Sequence, residues 1–283
     1  MKRINLTIAI LLIGALLASC SEQQPKDNLP ASGEAAASQE PSASSTPDTE
    51  AALVTSQPAP TESPVSEEET SAAPLYRMSE AYRFVPIEDQ TPSKVVLLTF
   101  DDGPKDKEVL TSILDTLDRH KAKAIFFVNG YRVKQNPDLL KLINEREQTI
   151  GNHSFDHNNL KEESKEVVEK QIGDVQTDVD ALIGRKPLFF RPPYGSGSAI
   201  VKETAKNHGM LYMTWSNGSL DWDKSAKGKP DVVIKNVLEQ LHPGANILMH
   251  ELKWTADALE ELLTALESKG YGFIDPATIE LTR

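Results

Sequence analysis

A barrel of parallel strands wrapped by helices is the fold this sequence predicts, and three observations carry the prediction. From residue 95 onward, short apolar runs alternate strictly with amphipathic stretches, the pattern of parallel strands joined by helical crossovers. No glycine-rich dinucleotide or phosphate loop follows the first strand, which disfavours a nucleotide-binding open sheet. Carboxylate, imidazole and guanidinium side chains recur where strands end, and in a parallel barrel those positions share one face.

The elements follow in order. Val95–Phe100 is a continuous apolar run, as expected of a strand covered on both faces. Glu108–His120 sets Val109, Leu110, Ile113, Leu114 and Leu117 on one helical stripe. Ala124–Val128 is a second strand, and Asn136-Pro137, a cap and first-turn pair, opens a helix to about Glu145. Thr149–Gly151 is a short third strand. Ser164 caps a long helix carrying Val168, Ile172, Val175 and Val179, which Gly184 stops. Strands at Leu188–Phe190, Leu211–Trp215, Ile247–Met249 and Tyr271–Ile274 then alternate with helices at Ser198–His208, Asp231–Leu241 and Thr255–Lys269. Seven strands with six intervening helices occupy about 190 residues, the size of one domain.

The strand ends carry the chemistry. Asp101 and Asp102 follow the first strand, and His153 and His157 follow the third. Arg191 ends the fourth, Asp221 lies in the loop after the fifth, and His250 ends the sixth. Asp101-Asp102-Gly103-Pro104 has the composition of a plain turn. Two adjacent carboxylates after a buried strand repel each other, however, and a cation would relieve them. His153 and His157 are close enough in sequence to share one metal; with a carboxylate they make three protein ligands and an open position, the pattern of a catalytic zinc. Arg191 begins the rigid loop Arg191-Pro192-Pro193-Tyr194-Gly195 and is suited to fixing a carboxylate. His120, His208 and His242 lie at helix ends, where a cation suits the helix dipole, and receive no catalytic role.

Taken together, Thr99-Phe100-Asp101-Asp102-Gly103-Pro104, His153-Ser154-Phe155-Asp156-His157, Arg191-Pro192-Pro193-Tyr194-Gly195, Asp221-Trp222 and Leu248-Met249-His250 resemble the polysaccharide deacetylases of the NodB homology type, over residues 94 to about 276. The resemblance implies a distorted (β/α) barrel of seven or eight parallel strands that removes acetyl groups from N-acetylated sugars. It implies that Asp102, His153 and His157 hold a divalent metal, zinc first and cobalt or manganese as alternatives. By the same resemblance Asp101 is the general base oriented by Arg191, and His250 is the general acid tuned by Asp221. Trp222 and Leu248 line the acetyl pocket, and the Tyr194 N–H helps stabilise the oxyanion. Many relatives carry a further Asp three residues before the Asp-Trp pair, where this sequence has Gly218. The expected substrate is peptidoglycan, at N-acetylglucosamine or N-acetylmuramic acid; chitooligosaccharide deacetylation, acetylxylan esterase activity and a non-enzymatic glycan-binding lipoprotein are the alternatives.

The region before the barrel predicts location. Lys2 and Arg3 precede an apolar run, Ile8–Leu17, too short to span a bilayer. The segment closes Leu17-Ala18-Ser19-Cys20, which resembles a bacterial lipobox, and Cys20 is the only cysteine of the chain. Residues 1–19 are therefore expected to be a lipoprotein signal peptide and Cys20 a lipidated N-terminus, anchored on the outer membrane face toward the wall. Every Phe, Tyr and Trp lies at or after Tyr76, and residues 20–75 are rich in Ala, Ser, Pro and Glu. That segment cannot bury enough apolar surface to offset its ordering entropy and is expected to be a disordered tether before a catalytic domain at 76–283. Of the formal charge of −12, the tether supplies most; the barrel region is only mildly acidic. No basic excess exists to neutralise phosphates, so no nucleic acid is expected as a partner. The expected partners are a polysaccharide and, through Cys20, a membrane, with the chain itself a monomer.

Overall fold

A computed structural model describes residues 73–282; the expected signal peptide, Cys20 and nearly all of the expected tether lie outside the described residues. Ten strands and seven α-helices follow one another in the described region. A small antiparallel hairpin, β1 (Tyr76–Met78) with β2 (Phe84–Pro86), precedes the main sheet. The main sheet contains β3 (Val95–Gly103), β4 (Ala124–Val128), β5 (Thr149–Asn152), β6 (Phe189–Phe190), β7 (Leu211–Tyr212), β8 (Asn217–Gly218), β9 (Ala245–His250) and β10 (Gly272–Phe273), and every pairing within it is parallel. The helices α1 (Lys107–Arg119), α2 (Gly130–Gln135), α3 (Pro137–Glu145), α4 (Lys165–Ile183), α5 (Ala199–Asn207), α6 (Pro230–Glu239) and α7 (Lys253–Ser268) fill the crossovers.

The strand order β7-β6-β5-β4-β3-β9-β8 places two consecutive strands at opposite edges. The expected strand Leu211–Trp215 is thus cut short at Tyr212, and a further strand that was not expected, Asn217–Gly218, follows on the opposite edge. Met213 N–H donates to the Phe190 carbonyl at 2.9 Å, and three residues later Ser216 N–H donates to the Asn246 carbonyl at 3.1 Å. One short segment therefore joins both edges and curls the sheet into the expected distorted barrel.

Alternation along the strands separates two cores. Val96, Leu98 and Phe100 face outward with Phe126 and Val128 against the helices, which contribute Leu110, Leu114, Leu259 and Leu262. Val95, Leu97, Ile125, Phe127, Leu211 and Met213 face inward. The hairpin supplies Tyr76, Met78 and Phe84 to this inner cluster and stoppers the amino-terminal end of the barrel. Each fully buried side chain of this size contributes about 1.5–3 kcal/mol through its removal from water. Packing thus fills the lower barrel and leaves its carboxyl-terminal mouth for polar groups.

The caps behave as their chemistry dictates, with one correction. Ser164 Oγ accepts from Val167 N–H, and Gly184 ends α4 at φ 73°, a left-handed conformation open to glycine. Asn136 does not cap α3 with its side chain; its Nδ2 donates to the Pro104 carbonyl at 3.0 Å and ties α3 to the loop after β3.

Candidate active site

Adjacent residues of a regular strand point to opposite faces, so Asp101 and Asp102 should not share a site. A bulge makes them do so. Asp101 pairs with Phe127 and Gly103 with Val128, which leaves Asp102 as the extra residue, at φ 66°. Five of the eight non-glycine residues with positive φ among the described residues lie in these strand-end loops: Asp102, Ser154, His157, Tyr194 and Leu220. Each costs on the order of 1–3 kcal/mol, a strain that surrounding structure must hold in place.

The surrounding hydrogen bonds are explicit. Asn129 Nδ2 donates to the His153 carbonyl at 2.9 Å, and Ser154 N–H donates to Asn152 Oδ1 at 2.9 Å. Gln171 on α4 accepts from Asp156 N–H and donates to its carboxylate, fixing the loop between the two histidines. Glu251 Oε1 accepts from Lys105 and Asp106 N–H, each at 2.9 Å, and holds the turn after the aspartates.

Asp102, His153 and His157 converge, with one ligand atom from each lying within 4.8 Å of the others. His157 Nε2 is 3.1 Å and His153 Nε2 3.5 Å from Asp102 Oδ1. His153 Nδ1 meets the Arg191 carbonyl at 2.7 Å, so that nitrogen carries the proton and Nε2 is free to ligate. Burial pushes the His153 imidazole below its ordinary value, against the pull of Asp101 and Asp102, which favours the unprotonated, ligating form. Burial alone would raise the Asp102 carboxyl. The hydrogen bond with His157 and the electrostatic pull of the surrounding imidazoles of His153, His250 and His157 outweigh it and hold the group well below the usual carboxylate range. Asp102 Oδ1 is buried and faces the Nε2 atoms of both histidines. A buried carboxylate oxygen facing two imidazole nitrogens fits a divalent cation of the His-and-carboxylate type.

Asp101 sits beside this triad and belongs to a different network. Its Oδ1 accepts from Arg191 Nη1 at 2.7 Å, and its Oδ2 lies 3.6 Å from His153 Nε2. Arg191 is fully buried, stacked 4.3 Å from the centre of the Phe127 ring, and also donates to Thr99 Oγ1, the Thr214 carbonyl and Asn246 Oδ1. Across the mouth, His250 Nδ1 is 2.7 Å from Asp221 Oδ1, while Asp221 Oδ2 accepts from His250 N–H and Thr255 Oγ1. Burial lowers the His250 imidazole, but the Asp221 hydrogen bond and charge more than reverse this, and the net shift is upward. His250 Nε2 points to the triad, 4.0 Å from Asp102 Oδ2.

The remaining expected residues surround this centre. Trp222 is 47% exposed and meets the His250 ring edge-on at 5.1 Å. Tyr194, at φ 60°, presents its ring 4.8 Å from that of His157. Leu248 is buried on β9, two residues before His250 and in register with Thr99. A side chain at Gly218 would meet Trp215 and Trp222 at ordinary van der Waals distances, so space does not demand glycine there. His120 and His208 pair with surface glutamates far from the mouth.

Sequence reasoning missed Thr99, Asn246, Gln171 and Glu251. Thr99 and Asn246 had a signal: each is a polar residue inside an otherwise apolar strand, at an inward position.

A parallel barrel whose mouth combines a His-and-carboxylate triad, an arginine-bound aspartate and an aspartate-bound histidine defines a class of hydrolase-like site. The family model for polysaccharide deacetylase matches residues 88–213. The chain is 33% identical over 186 residues to the peptidoglycan-N-acetylmuramic acid deacetylase PdaA of Bacillus subtilis, covering 65% of this chain and 70% of that protein. It is 42% identical over 183 residues to the peptidoglycan-N-acetylglucosamine deacetylase PgdA of Listeria monocytogenes, covering 64% of this chain and only 38% of that relative. Among solved structures, a carbohydrate esterase family 4 pseudoenzyme from Bacillus anthracis superposes with a TM-score of 0.61 at 34% identity, covering 64% of this chain and 63% of that one. The chain belongs to the polysaccharide deacetylase family.

Proposed function

We propose that the chain is a metal-dependent de-N-acetylase of cell-wall peptidoglycan, acting on N-acetylglucosamine or N-acetylmuramic acid and releasing acetate. The observation that carries this reading is the Asp102–His153–His157 triad with Asp101 and His250 facing it from two sides. A pseudoenzyme among the relatives means that family membership alone does not decide activity; a mouth retaining every expected group supports it.

Asp102, His153 and His157 would hold the cation, zinc in this proposal. When bound, a divalent cation acidifies a water and polarises the acetyl carbonyl. Asp101 takes the proton of the attacking water on Oδ2, since Arg191 occupies Oδ1 and fixes the carboxylate in plane. Water oxygen bonds to the carbonyl carbon, the carbon–nitrogen bond breaks, and His250 Nε2 gives its proton to the departing nitrogen. An amide anion is too basic to leave without that proton. Asp221 holds His250 through Nδ1, so Nε2 is the nitrogen presented. Trp222 and Leu248 flank the acetyl methyl, and the Tyr194 N–H donates to the developing oxyanion.

The full-length chain loaded with zinc is expected to release acetate from N-acetylglucosamine oligomers or from peptidoglycan. No acetate from either, with metal occupancy confirmed by elemental analysis, overturns the reading. The raised His250 imidazole gives a pH prediction. His250 acts as the protonated form, so kcat/KM falls as pH rises through its pKa. Asp221→Asn removes the group that raises that pKa, and the alkaline limb of the kcat/KM profile moves to lower pH. A limb that stays in place removes His250 as the acid.

The anchor belongs to the same proposal. Lys2, Arg3, the apolar run and Leu17-Ala18-Ser19-Cys20 support lipidation of Cys20, with residues 20–75 as the tether reaching into the wall. Cys20→Ser is expected to move the protein from the membrane pellet to the soluble fraction; unchanged pelleting counts against the anchor.

A further inference from the structure

A cleft of about 370 Å³ opens directly from Asp102 and His250, with Trp222 and Trp254 among its walls. Its outer lip is cationic. Lys105 comes from the loop after β3, and Lys224 and Lys227 come from the loop after β8, so two separate loops bring three ammonium groups to one opening. Among the described residues no carboxylate lies within ion-pair distance of any of the three. Of the nearby acids, Asp221 serves His250, Glu251 turns Oε1 to backbone N–H groups, and Asp223, beside Lys224 and held partly by its charge, accepts from Ser225 N–H. Burial pushes the half-buried Lys105 ammonium down from its ordinary value, more than Asp102 and Glu251 raise it, so an arriving anion would stabilise its charged form. The barrel region as a whole carries more acidic than basic residues, so three lysines gathered at one opening run against its overall charge.

We propose that this lip binds a carboxylate on the sugar unit next to the reacting one, so that the site selects acid-bearing N-acetylated glycans over neutral ones. The inference rests on the deacetylase reading above and narrows its substrate class. A glycan in which N-acetylglucosamine alternates with N-acetylmuramic acid offers such a group wherever no peptide is joined to the muramic unit, because its lactyl ether then ends in a free carboxylate rather than an amide. With one unit's acetamido group at the triad, the cleft lies where a neighbouring unit would run, and Trp222 and Trp254 offer faces for its ring. Exposed charge pairs are individually weak, so the three lysines act as a selective field rather than a tight clamp.

The test uses the zinc-loaded full chain and a matched pair of substrates: a tetrasaccharide of alternating N-acetylglucosamine and N-acetylmuramic acid with free lactyl carboxylates, and the same tetrasaccharide with those groups converted to carboxamides. The expected result is a kcat/KM ratio of acid to amide of about fivefold or more, carried by KM and falling toward one at about 0.5 M salt. Lys224→Gln/Lys227→Gln, two exposed positions, lowers the ratio to about one. A wild-type ratio near one, or a ratio the double substitution and salt leave untouched, overturns the inference while the deacetylase reading stands. Absence of acetate from both tetrasaccharides as well as from simple oligomers brings down that reading, and this inference with it.

Discussion

Asp101→Asn is expected to lower kcat about a thousandfold while zinc remains bound, within the range that loss of a positioned proton acceptor costs. The amide is nearly isosteric with the carboxylate. Arg191 Nη1 must donate, so it will select the amide oxygen for the Oδ1 position and turn the NH2 toward the triad. The atom now facing the attacking water is a donor and cannot accept its proton. Asp102, His153 and His157 are untouched, so elemental analysis should still find one zinc per chain. Neutralising one partner of a buried ion pair also costs stability, and rates must be compared well below the variant's Tm. Full activity in this variant refutes the base assignment, and loss of zinc would move Asp101 among the ligands.

Much of this architecture was legible because parallel strands covered on both faces are written as continuous apolar runs. Val95–Phe100 and Ala124–Val128 carry that signature, and the helices between them carry stripes and stops. Three features were not legible, each for a local reason. The β1–β2 hairpin has three-residue strands, too short for periodicity, and its buried Tyr76, Met78 and Phe84 make sense only as a stopper for a barrel formed later in the chain. Helix α2 begins with glycine and buries only Val133 among its large apolar side chains. The early end of the strand at Tyr212 and the new strand at Asn217–Gly218 depend on which neighbour each segment meets, a property of the curled sheet rather than of the segment.

The same distinction holds within the site. Asp101, Asp102, His153, His157, Arg191, Asp221 and His250 stood out because charged groups at the ends of apolar strands have no packing reason to be there. Their mutual orientation was not readable, because it depends on the bulge that turns Asp102 beside Asp101 and on side chains distant in sequence. Gln171, nineteen-residue helix α4's link to Asp156, is one of several plausible polar residues until the helix is docked. Glu251 follows a catalytic candidate and looks like a surface glutamate in sequence, yet it is 1% exposed and holds the 105–106 turn.

Arg191→Met is expected to be the most destabilising single change at the mouth, by about 3–5 kcal/mol, the usual cost of leaving a buried charge without its partner. For a domain of this size that corresponds to a fall in Tm on the order of 10 °C. Methionine can replace the stem against Phe127 but supplies no donor. Thr99 Oγ1, Asp101 Oδ1, the Thr214 carbonyl and Asn246 Oδ1 would all lose theirs. The effect reaches beyond Asp101, because Thr214 belongs to the segment that crosses between the sheet edges and Asn246 belongs to β9. Arg191 therefore ties β3, β9 and the crossing segment together at the level where the barrel core gives way to the polar mouth. Lysine would restore a charge beside Asp101 but not the planar fork that serves four acceptors at once. The discriminating measurement is a double-mutant cycle read by urea denaturation. If the buried pair dominates, Asp101→Asn costs less in the Arg191→Met background than in the native chain, by about 2 kcal/mol. Additive losses would instead assign the destabilisation to the three other acceptors and make Arg191 chiefly a strut of the barrel.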